Sequence, residues 1–205
     1  MNRIAIHSLL STVVAVAAAV ALIGCGSEAT VTEAATGGEP ADPAACEDRL
    51  ADLVDQLKVD VAYDYEPSSS PADLAAIVDA VVIATLGDLS QEGENVTAVL
   101  ENLEVIGGDT SRGSDGDLAV SWYVSPEPRG LGETDGISVL AFLSFEGNLP
   151  TPEIEGLWFA CGPDTPARSM IVEPVEAGWP AGPDATLANL ALAVTDPDTA
   201  AAISG

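Results

Sequence analysis

The chain has 205 residues, with 33 acidic against 6 basic side chains, a formal net charge of −27 and 47% hydrophobic residues. So acidic a chain repels phosphate backbones, because nucleic-acid binding relies on Lys and Arg to neutralise phosphates; this argues against a DNA or RNA partner. The length and apolar fraction exceed what a wholly disordered chain carries and fit one domain, two at most.

From the N-terminus, Met1 to Gly24 carries Arg3 near its start and then the apolar run Val13 to Ile23. That run is shorter than the roughly 20 residues needed to cross a hydrocarbon core of about 30 Å, so residues 1–24 read as an export signal. It ends in Leu22-Ile23-Gly24-Cys25, with an aliphatic residue, a small residue and a Cys in order. This tetrad resembles the lipobox of bacterial lipoproteins. The resemblance implies cleavage before Cys25, a diacylglyceryl group on its thiol, and anchoring to the extracytoplasmic face of the cell membrane by more than one acyl chain. A plain secretory signal with an incidental Cys, or an uncleaved anchor, is the alternative.

Loss of residues 1–24 removes Arg3 and the single histidine, His7, leaving 33 acids against five bases, a net charge of −28. Histidine is the usual general base, nucleophile activator and transition-metal ligand. Without it, Ser-His-Asp or Cys-His catalysis and imidazole-built zinc or copper sites drop out. With Cys25 acylated, the remaining cysteines of an exported chain, Cys46 and Cys161, are expected to form a disulfide. Two buried thiols or a redox pair are the alternatives, although the Cys-x-x-Cys spacing of a redox pair is absent.

Residues 25–45, rich in Gly, Ser, Thr, Glu, Ala and Pro, bury too little apolar surface to offset ordering entropy and read as a disordered acidic tether. That leaves 46–205 for a single globular domain. It opens with a helix in which Leu50, Leu53, Val54 and Leu57 recur at i, i+3, i+4 and i+7. Cys46, one turn earlier, falls on the same stripe. Ser70-Pro71-Ala72-Asp73 then reads as a short helix start: an N-cap Ser, Pro at the first helical position and an early acid. A strand is expected within Ala80 to Leu86. Further strands are expected at Asn95 to Ile106, Leu118 to Val124, Ile137 to Phe145, Leu157 to Cys161 and Met170 to Val172, separated by Gly, Pro and Asp-Gly punctuation. The run Ile137 to Phe145 is apolar on both faces at its centre, which places it inside the sheet. Helical spacing returns at Leu187, Leu190, Ala191 and Val194 after Asp184, with Pro197 just beyond. The expected class is α+β: a mostly antiparallel sheet or small barrel, a helix at each end and one short helix before the first strand.

The run Ser70-Pro71-Ala72-Asp73-Leu74, followed by Asp79-Ala80-Val81-Val82-Ile83-Ala84-Thr85-Leu86, resembles the start of a β-barrel domain found in exported proteins of high-GC Gram-positive bacteria. The resemblance concerns fold alone, since that group has no settled activity to carry over.

Without histidine, acid-base chemistry would fall to carboxylate pairs, as in glycoside hydrolases. Glu101 with Glu104, Glu127, Glu133 with Asp135, and Glu153 with Glu155 are the candidates, set against a solvated acidic surface. Trp122 and Trp158 lie inside strand patterns and are expected in the core. Trp179, between Gly178 and Pro180, is the freer ring and the candidate for ligand stacking. The loop 107–117 offers Asp109, Asp115 and Asp117 as oxygen ligands for calcium, yet it departs from the EF-hand template at Ser114 and Val120; a hairpin connection is the plainer reading. No other cofactor is expected. Two functions remain. The first is a non-enzymatic, lipid-anchored module binding an envelope protein, a wall component or cations. The alternative is a carboxylate-dependent hydrolase of envelope or environmental polysaccharide.

Overall fold

The computed structural model describes residues 43–58, 68, 70–110, 116–124, 130–170, 179–180, 182–196 and 198. The signal segment, Cys25 and most of the tether lie outside these residues, as do Asp115, Glu127, Val172 and Pro197.

Helix α1 (Pro43–Leu57) begins slightly before the expected domain start, with Pro at its first position, where a missing N–H costs nothing. Its buried residues are Cys46, Leu50, Leu53, Val54 and Leu57, the stripe that the spacing predicts. Helix α2 (Pro71–Ala75) is capped by Ser70, whose hydroxyl oxygen accepts the Asp73 backbone N–H at 3.2 Å. Strands β1 (Ala80–Glu92), β2 (Asn95–Gly108), β3 (Leu118–Tyr123), β4 (Ser138–Ser144), β5 (Thr151–Ala160) and β6 (Arg168–Ser169) follow. A 3₁₀ turn (Gly182–Asp184) leads into α3 (Leu187–Thr195), capped by Thr186.

All the strand pairs are antiparallel, and the sheet order is β3-β2-β1-β4-β5-β6. The sheet is open, so of the two forms that the sequence allows, the barrel is not the one adopted. Its curl still brings the outer edge of β3 to the start of β5, where the Ser121 N–H donates to the Pro150 carbonyl at 3.0 Å.

The long β1–β2 hairpin serves two neighbours. Its proximal part, Ala80 to Thr85, pairs with β4, and its distal part, Asn95 to Leu100, pairs with β3. Irregularities at Val81/Val82, Ile83/Thr85 and Leu86/Leu89 bend it between these duties. Asn102, at φ 53°, occupies the left-handed region in one of them, a conformation that Asn tolerates better than most residues.

Strict alternation along the central strands builds two cores. Val82, Ala84, Val139, Ala141, Leu143, Leu157 and Phe159 face α1, while Val81, Leu140, Phe142, Trp158 and Ala160 face α2 and α3. β4, flanked by β1 and β5, is therefore buried on both faces. A disulfide joins Cys46 of α1 to Cys161 at the end of β5, with Cα atoms 5.9 Å apart. Among the described residues, no helix is long and apolar enough to cross a membrane.

Candidate functional site

Among the described acids, Glu155 alone is buried, at 8% exposure. Its position follows from a bulge. Between the pairs Leu143↔Pro152 and Ala141↔Leu157, β5 passes through Glu153 to Gly156 while β4 passes through Phe142 alone. An insertion of this kind breaks the period of two and re-aims side chains. Gly156 makes it sterically feasible, since a Cβ there would lie 2.6 Å from Phe142 Cβ.

A carboxylate taken out of water needs hydrogen-bond donors, or it costs several kcal/mol. The backbone N–H of Ser68 meets that need, 2.9 Å from Glu155 Oε2 and 3.2 Å from Oε1. The carbonyl of the same residue accepts the Trp179 Nε1–H at 2.9 Å. Trp179 stacks on Trp158 with ring centroids 5.8 Å apart and planes 15° apart, and it meets Phe142 at 6.1 Å in a tilted arrangement. Trp158 Nε1 in turn donates to the Glu155 carbonyl at 2.8 Å. These contacts close a ring through Ser68, Glu155, Trp158 and Trp179, joining residues remote in sequence.

This geometry corrects the expectation for Trp179. The residue is 3% exposed, and both its ring contacts and its N–H are committed inside the core, so it is a packing residue rather than a free stacking platform. The Gly178 and Pro180 neighbours suggested a loop, but burial is decided by Phe142 and Trp158, which no local pattern reveals. Trp122 and Trp158 are buried as their strand positions predict. Trp122 Nε1 has no hydrogen-bond partner among the described residues.

The other described candidate acids make contacts of their own or stand exposed, and Glu127 falls outside the described residues. Glu153 is half-buried and accepts the Ser144 hydroxyl at 3.0 Å, while its neighbour in the pair, Glu155, is taken up by Ser68. Glu101 lies against Gly87, where an added Cβ would come within 2.7 Å of Oε1, whereas Glu104 is exposed. Glu133 and Asp135 are exposed; the Asp135 carbonyl, not its carboxylate, receives Arg49 Nη2 at 2.9 Å. Of the calcium candidates, Asp109 is exposed and its backbone N–H donates to the Asp79 carbonyl at 3.0 Å. Asp117 is also exposed, and Asp115 falls outside the described residues. Among the described residues, no group of three or more His, Cys, Asp or Glu is placed to hold a metal ion.

Ser68 was missed by sequence reasoning, because a backbone donor leaves no signature. Glu155 could have been singled out from its pair: the Gly that follows it in an otherwise apolar strand marks a bulge or a close approach. No family model, curated protein or solved structure matches the chain.

Proposed function

We propose that the chain is a lipid-anchored protein of the cell envelope, exported, acylated at Cys25 and presenting residues 46–205 as a non-enzymatic binding module on the extracytoplasmic face of the membrane. The supporting observation is the pairing of Cys46 with Cys161. A cystine of this kind persists in oxidising, extracytoplasmic compartments. It also accounts for two of the three cysteines, leaving Cys25 at the end of the apolar run, in the tetrad that resembles a lipobox.

Binding is favoured over hydrolysis by the fate of the acids. A carboxylate-dependent hydrolase needs two carboxyl groups about 5 to 10 Å apart, open to substrate. Glu155, the one buried acid among the described residues, is instead bonded to the Ser68 N–H, in the ring that the Trp158–Trp179 stack closes. The module's partner would be an envelope protein, a wall component or a cation, and the membrane is engaged through the lipid alone.

The test is intact mass of the protein extracted from membranes of a lipoprotein-processing host. The expected mass is that of the chain from Cys25 onward with one cystine and a diacylglyceryl group; Cys25→Ser is expected to abolish the lipid and leave the precursor uncleaved. A wild-type mass beginning at Met1, or an unlipidated protein in the aqueous phase, would overturn the proposal.

A further inference from the structure

We draw no further inference here: the strongest candidate, the closed ring of Ser68, Glu155, Trp158 and Trp179 on the bulge of β5, belongs to the site already described, and nothing among the described residues shows what would bind there.

Discussion

Asp79 and Gly108 show how much of this sheet's geometry rests on single residues. Asp79 uses three polar groups at the corner where β1 begins: its N–H donates to the Leu143 carbonyl at 2.9 Å, its carbonyl accepts the Asp109 N–H at 3.0 Å, and its Oδ2 accepts the Phe145 N–H at 2.7 Å. One residue thus ties the start of β1 to the ends of β2 and β4. Gly108 is what lets β2 come so close. It sits at φ +75°, and a Cβ there would lie 2.1 Å from the Asp79 carbonyl oxygen. Gly93, in the two-residue turn of the β1–β2 hairpin, shares the left-handed conformation at φ +62° but has nothing within 4 Å of its would-be Cβ. The two positions therefore separate backbone strain from steric clash. Gly93→Ala is expected to cost about 1–2 kcal/mol, the left-handed penalty alone. Gly108→Ala adds a collision with rigid backbone and is expected to cost roughly 1–3 kcal/mol more. Urea unfolding of both variants checks this; equal losses would mean that the corner yields to the added methyl group.

At the scale of elements, two cross-links hold the layers together, and they differ in kind. The Cys46–Cys161 disulfide staples α1 to β5 across a sequence separation of 115. On the chain-entropy account a loop of that size is worth about 5 kcal/mol through the unfolded state. α1 also buries Leu50, Leu53 and Leu57 completely, so the helix has its own hold on the core. Replacing both cysteines by Ser is thus expected to leave the far-ultraviolet circular dichroism native at 25 °C while lowering Tm by roughly 10–20 °C; loss of helical signal would show that the staple, not the stripe, docks α1. The second cross-link is the ring through Ser68, Glu155, Trp158 and Trp179, whose members polarise and position one another. Glu155→Gln and Trp179→Phe are each expected to cost about 1–3 kcal/mol. The double variant should cost less than their sum, by about 0.5 kcal/mol or more. Additive losses would mean two independent contacts. The α1 stripe, the Ser70 cap, the cystine and the doubly buried β4 were legible in the sequence, because each follows from local spacing or from a count of cysteines. The lengths of β1 and β5 were not: β1 runs on to Glu92 through an irregularity around Gly87 and Asp88, and β5 starts at Thr151 through the Glu153 to Gly156 bulge. Bulges erase the period of two on which strand reading depends. The ring was illegible for another reason, since its contacts join residues 87 and 111 positions apart.

For the whole molecule, charge is the dominant unbalanced quantity. Against 33 acids stand six bases. Among the described ones, Lys58 pairs with Asp55, Arg168 lies 3.4 Å from Glu47, and Arg49 is given to the Asp135 carbonyl. Exposed pairs of this type contribute little, so they do not offset the repulsion that a net charge of −27 imposes on a folded chain. Salt should relieve it. The screening length falls from about 30 Å at 0.01 M to about 10 Å at 0.1 M, which brings it below the separation of most acids on a domain this size. Sodium chloride over that range is expected to raise Tm by several degrees, where 1 kcal/mol corresponds to roughly 2–4 °C. The same experiment discriminates general screening from cation capture, because calcium at about 1 mM adds almost nothing to ionic strength yet stabilises any fold that binds it tightly. A Tm unchanged by millimolar calcium in 0.1 M salt is the outcome expected of a dispersed acidic surface, in keeping with the exposed side chains of Asp109 and Asp117. A saturable rise, lost on Asp117→Asn, would instead mean that the 107–117 loop gathers its acids around an ion. An unchanged Tm on adding sodium chloride would count against self-repulsion itself and leave packing alone to set the stability.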